Sequence, residues 1–212
     1  MIKLYDYELS GNCYKVRLML SLLGLEYAKV EVEFFPSKAH KSDEFLAINP
    51  LGQLPALEDG ELVLRDAQAI LSYLAARYDQ QGSWYPLQDP ARLAEVNMWL
   101  AFANDMSNAS SAARLAEVFG YELDADAARA NAYERFAVLD QQLWFSEHEQ
   151  HGWVCSGTQP TIADIACFPY VMLADEGGMS LMDYPAIRRW TDRVKSLPGF
   201  VVMSGIFHTA AA

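Results

Sequence analysis

A proline stands directly ahead of a short run of strand formers, Ala56–Glu58, which the pair Asp59-Gly60 separates from a second run, Leu62–Leu64. An Asp-Gly step between two such runs is a hairpin signal. Pro55 has no N–H to offer a ladder, so it fits only where a strand begins. Leu54 before it therefore keeps its own N–H and C=O turned outward, open to an extended ligand. A cis Leu54–Pro55 bond would fix that presentation, because cis peptides are confined almost wholly to proline. Just beyond the hairpin, Asp66-Ala67-Gln68-Ala69-Ile70 places an acid at the head of a helix expected over Ala67–Tyr78. A free backbone edge beside a helix start describes a site for a peptide-sized anion.

The residues before this hairpin read as strand, helix, strand. Ile2–Tyr7 alternates as a strand, Ser10-Gly11-Asn12 supplies turn and cap chemistry, and the apolar positions from Tyr14 to Leu23 suit a buried helix that Gly24 stops. Tyr27–Phe34 follows as a second strand, and the helix between them makes the pair parallel. A short helix is expected over Ser42–Leu46. This order, βαβ then ββα, is that of a thioredoxin-like α/β unit over residues 1–79. Turn formers crowd residues 80–90, the best linker. Residues 91–212 are helical in pattern, with long amphipathic stretches over Ala91–Gly120 and Asp124–His148. Thr161-Ile162-Ala163-Asp164 resembles a capping box ahead of Ile165-Ala166-Cys167-Phe168-Pro169-Tyr170, which is too apolar for a surface helix. The expected fold is thus an α/β thioredoxin-like unit followed by an all-α helical bundle.

Charge and cysteine usage narrow the partners. A formal net charge of −12 opposes nonspecific attraction to nucleic acid or to anionic lipid. An anionic ligand would need its own basic patch, for which Lys15, His40 and Lys41 are candidates. Three cysteines, Cys13, Cys155 and Cys167, have no paired spacing, which argues against a disulfide framework or a zinc cluster and for a reducing compartment. The chain opens straight into a strand, without a signal-like segment or an apolar run of membrane-spanning length, so a cytoplasmic location is expected.

Ser10-Gly11-Asn12 ahead of Lys15-Val16-Arg17, Asn49-Pro50 with Gly52-Gln53 and Pro55, Asp66 with Ala69-Ile70, the linker, and Thr161 with Asp164 arrive in one order over almost the whole chain. In that order they resemble a cytosolic glutathione S-transferase of bacterial, serine type. The resemblance implies glutathione as co-substrate, a hydrophobic electrophile or a peroxide as acceptor, no metal, and a homodimer in which the Gln68–Tyr78 helix packs on the partner's Ala91–Gly120 helix.

It also implies roles. Ser10 takes the position that stabilises the glutathione thiolate, with Asn12 second to it; the cysteine of cysteine-type relatives aligns with Ser10, so Cys13 is read as an incidental buried thiol. His40 and Lys41 would hold the glycine carboxylate. Gln53, Leu54 and Pro55 would carry the cysteinyl moiety, and Asp66 would meet the γ-glutamyl ammonium group. The family has serine where this chain has Ala67, a departure that weakens the grip on the γ-glutamyl carboxylate by roughly 1.5–3 kcal/mol. The acceptor pocket would draw on Tyr7, Leu9, Trp99, Phe102, Ala103, Met106 and Arg114, with the tail around Phe207; of these Phe102, Met106 and Arg114 are the groove-facing choices. Asp164 is read as structural. Two other readings share these residues: a glutathione-dependent disulfide reductase, and a transferase-fold module that binds another protein and has lost its chemistry.

Overall fold

The computed structural model describes residues 1–203. Four strands form one sheet in the order β2-β1-β3-β4. β1 (Ile2–Asp6) runs parallel to β2 (Tyr27–Glu31) and antiparallel to β3 (Ala56–Asp59), and β3 pairs antiparallel with β4 (Leu62–Arg65). α1 (Gly11–Leu22) makes the crossover between β1 and β2, α2 (Asp43–Ile48) follows the second strand, and α3 (Ala67–Tyr78) closes the unit. The hairpin turns through Gly60 at φ +63°, a left-handed conformation that glycine adopts without steric cost.

Two boundaries move for physical reasons. α1 begins at Gly11, three residues earlier than the apolar pattern suggests, because Ser10 itself caps the helix by accepting the Cys13 N–H at 3.2 Å. β2 stops at Glu31, short of Phe34, because β1 has by then ended at Asp6; the last rung is Val32 N–H donating to the Asp6 carbonyl at 2.8 Å.

Beyond the linker lie α4 (Pro90–Phe119), α5 (Ala125–His148), α6 (Ile162–Met172) and α7 (Pro185–Lys195). Asp89 and Asp124 cap α4 and α5. α7 escaped the sequence reading, although Pro185 at its first turn and Ile187, Trp190 and Val194 on one face are its signal. α6 is buried from Ile162 to Val171 and packs against α1, α3, α4 and α7, so it joins the two units. None of the described helices is long and apolar enough to cross a membrane.

Asp164 anchors α6. Its Oδ1 accepts the Val154 N–H at 3.0 Å and the Trp190 Nε1–H at 2.8 Å, while Oδ2 accepts the Thr161 N–H at 2.8 Å. Burial pushes its pKa above the ordinary carboxylate value, and these donors oppose that push. Asp164→Ala would leave these buried donors unpaired and is expected to lower the unfolding free energy by about 3–5 kcal/mol. Urea denaturation measures this directly, and a loss below about 1 kcal/mol would remove Asp164 from this structural role.

Candidate functional site

α1 points its N-terminus into a cleft of about 470 Å³ between the sheet unit and α4. Ser10 and Asn12 line its floor. The Ser10 oxygen accepts the Cys13 N–H at the positive end of the helix, and its hydroxyl is a group that can donate into the cleft. Asn12 contributes a carboxamide whose Oδ1 is buried with no partner among the described residues. A group accepting from this floor gains most if it is an anion.

The proline loop forms the adjoining wall. Gln53, Leu54 and Pro55 reach the cleft, and the Leu54–Pro55 bond is cis. Buried Asn49 holds the loop: its Nδ2 donates to the Gln53 carbonyl at 2.7 Å and its Oδ1 accepts the Leu51 N–H at 3.1 Å. Sequence reasoning quoted Asn49 without giving it a role, although a short amide between turn residues is a recognisable bridging signal. Neither backbone group of Leu54 has a hydrogen-bond partner among the described residues. Asp66 and Ala67 complete this side. Asp66 sits at φ +76°, ψ 125°, a strained backbone for a non-glycine residue, and caps α3 by accepting the Ala69 N–H at 3.0 Å.

Several expected members lie elsewhere. Lys15 is fully buried, with Nζ donating to Ser107 Oγ at 2.9 Å and a pKa lowered to about 8 by burial; it belongs to the junction of α1 with α4 and not to a surface anion patch. His40 is buried and stacked on Phe34 with ring centroids 4.3 Å apart, and burial, then Lys41 and Lys38, hold its pKa below 6.5. Lys41 turns to the Leu51 carbonyl at 3.0 Å. Neither lines the cleft, so the pair makes no cationic clamp in this conformation. Met106 is sealed in the core and Phe102 packs edge-on to Trp99 at 4.9 Å; with Ala103 they form the inward face of α4 and leave the cleft to its other face. Tyr7, Leu9 and Arg114 do line the cleft, whereas Phe207 lies outside the described residues. Sequence reasoning missed Asn104, Asn108, Ser111 and Tyr170 at the opposite wall. The first three sit on one helical face, a pattern that reads equally well as plain solvent-facing surface.

Cys13 has no access to the cleft. It is completely buried, its Sγ accepts the Tyr7 N–H at 3.5 Å, and burial, then Asp6, raises the thiol pKa to about 12. Cys155 and Cys167 are buried as well, and all three are free. The native protein is therefore expected to show no thiol reactive toward an aromatic disulfide reagent at pH 7.5, and all three after unfolding in guanidinium. His40 supplies a pH test. Its folded pKa lies below the unfolded value near 6.5, so the unfolded chain takes up the proton first and stability is lost as pH falls below about 6.5. Denaturation midpoints between pH 7.5 and 5.5 are expected to fall more steeply in the wild type than in His40→Phe.

Two family models match this chain: the glutathione S-transferase N-terminal domain over residues 4–82 and the glutathione S-transferase C-terminal domain over residues 105–198. Glutathione S-transferase GstB of Escherichia coli is 32% identical over 210 residues, spanning 93% of this chain and 95% of that protein. Maleylacetoacetate isomerase of Pseudomonas aeruginosa is 30% identical over 208 residues, spanning 94% and 93%. The crystal structure of a glutathione S-transferase from Pseudomonas fluorescens superposes with a TM-score of 0.85 at 32% identity, covering 95% of this chain and 98% of that one. With the sheet order, the capped α1 at the cleft and the proline loop already in place, these matches show that the chain belongs to the glutathione S-transferase family.

Proposed function

We propose that this chain is a glutathione-dependent transferase that binds the tripeptide along residues 1–79 and takes its acceptor against the helices of residues 91–212. The observation that carries the reading is the meeting of three features in one cleft: the Ser10 hydroxyl at the α1 N-terminus, the unpaired Leu54 backbone, and the strained Asp66 at the head of α3.

Each feature has a partner in glutathione. Leu54 pairs its N–H and C=O with the cysteinyl unit as a strand edge pairs with an added strand. Asp66 meets the γ-glutamyl ammonium, and the first N–H groups of α3 receive the γ-glutamyl carboxylate. Ala67 lends no hydroxyl there, which weakens this end without abolishing it. Gln53 reaches the same ligand. Ser10 donates to the sulfur, and Asn12 adds a second neutral donor. A free thiol has a pKa near 8.5, and a donor at a helix N-terminus moves it toward neutrality, so the ionised nucleophile is present at pH 7. The thiolate then attacks an electrophilic centre on the acceptor, carbon or peroxide oxygen.

Of the alternatives, reduction of disulfides through Cys13 lacks support, since that thiol is sealed off. A homodimer fits the exposed apolar side chains of Leu62, Val63 and Met98 near β4 and α4, which burial against a second copy would cover. A cytoplasmic location accords with three unpaired cysteines.

Calorimetric titration with glutathione is expected to show binding below millimolar concentration; failure to bind would leave only a protein-binding module. The log of kcat/KM should rise with pH to a midpoint well below 8.5, and Ser10→Ala should raise that midpoint by about one unit and slow conjugation about tenfold or more, while Ser10→Thr keeps most of the rate. Asn12→Ala should have a smaller effect of the same sign. Ala67→Ser is expected to tighten glutathione binding about tenfold.

A further inference from the structure

The wall facing Ser10 is polar. Two contacts fix where α4 lies along α1 and the turn before it: Lys15 Nζ donates to Ser107 Oγ at 2.9 Å, and Arg114 Nη1 donates to the Leu9 carbonyl at 2.6 Å. Residues between 107 and 114 on the cleft side of α4 therefore stand level with Ser10 and Asn12. Those residues are Asn108 and Ser111, with Asn104 one turn farther along the same face, and all three line the cleft. Asn104 and Asn108 are exposed there, and their carboxamides have no hydrogen-bond partner among the described residues. Ser111 donates its proton back to the Asn108 carbonyl at 3.3 Å, which leaves its oxygen as an acceptor. Arg114 adds little free charge, since Nε is held by Glu176 at 2.6 Å. Leu9, Phe34, Leu54, Pro55, Leu115 and Phe119 supply the apolar part of the same cleft.

Resting on the transferase reading above, we infer that Asn104, Asn108 and Ser111 are specificity-determining residues that select an uncharged acceptor bearing oxygen beside its reacting carbon. This narrows the hydrophobic electrophile that the resemblance implies to one whose reacting end is polar. A carboxamide next to the sulfur can donate to a carbonyl oxygen where negative charge develops, whereas an apolar acceptor would leave two carboxamides desolvated and unpaired. For an unsaturated carbonyl compound the balance is complete. The thiolate forms a carbon–sulfur bond at the β-carbon, the double-bond pair moves onto the carbonyl oxygen as an enolate that Asn108 Nδ2–H stabilises, and the α-carbon then takes from solvent a proton equal to the one glutathione lost. No group leaves.

The test compares a small hydroxylated enone with a chlorinated nitrobenzene at saturating glutathione, in the wild type, Asn108→Leu and Asn104→Leu, alongside calorimetric glutathione affinity. The wild type is expected to favour the enone. Asn108→Leu should lower kcat/KM for the enone about tenfold to hundredfold, leave the aryl halide unchanged or faster, and leave glutathione affinity unchanged. Asn104→Leu should act in the same direction with a smaller effect. Equal losses on both acceptors, or a shift confined to glutathione affinity, would overturn the inference and assign these carboxamides to the tripeptide. Absence of glutathione binding in the wild type would instead overturn the reading beneath it.

Discussion

The N-terminus of α1 has to be in two places at once, inside the domain junction and open to the cleft, and the rest of the molecule is arranged around that requirement. Gly11 makes it possible. A Cβ there would stand 2.9 Å from the ring of Tyr170, so any larger residue would push α6 away from the turn. With glycine in place, Tyr170 closes over the first turn of α1, and its phenol pKa is raised to about 12 by burial. Ser10 stays at the edge of this contact and lines the cleft. A helix start that was wholly buried could not receive a ligand, and one that was wholly exposed would lose to water most of its electrostatic advantage.

The turn leading to Ser10 is fixed from below by buried charge. Asp6 is fully buried, and the Arg17 guanidinium meets it at 2.6 Å and reaches on to the Glu8 carbonyl at 2.8 Å. Lys29 lies 3.3 Å from the other Asp6 oxygen. A buried ion pair is a poor source of net stability because each ion gives up its hydration. Its use here is geometric, for the guanidinium's fixed fork ties β1, the turn and α1 together at set distances. On the far side the chain returns after α7, and Tyr14 Oη donates to the Val201 carbonyl at 2.6 Å while Ser21 Oγ donates to Gly199 at 2.7 Å. α1 is thereby held by both units along its length.

Partition of α4 explains the character of the acceptor wall. One face, through Trp99, Ala103 and Met106, is spent on the core, so its hydrophobic spacing says nothing about the cleft. The cleft side carries the carboxamides of Asn104 and Asn108 and the Ser111 hydroxyl, with Leu115 and Phe119 farther along the helix. The polar wall is thus a consequence of which face the bundle left over.

The sequence by itself determined the element order, the helix caps and the proline loop, since these are local: Asp66 and Ser10 act on amides within a few residues, Asp59-Gly60 needs only its own φ, and Thr161 with Asp164 closes a box inside one turn. α7 was equally local, and its signal at Pro185 went unread. Which side chains share the cleft was decided only by tertiary structure. His40 and Lys41 are adjacent in the chain, yet one is drawn into a stack on Phe34 and the other to the Leu51 carbonyl. Lys15 reads as a surface cation and lies sealed against Ser107. Met106 and Asn108 are two residues apart on one helix and face opposite ways, and periodicity tells that faces differ without telling which one the fold will bury.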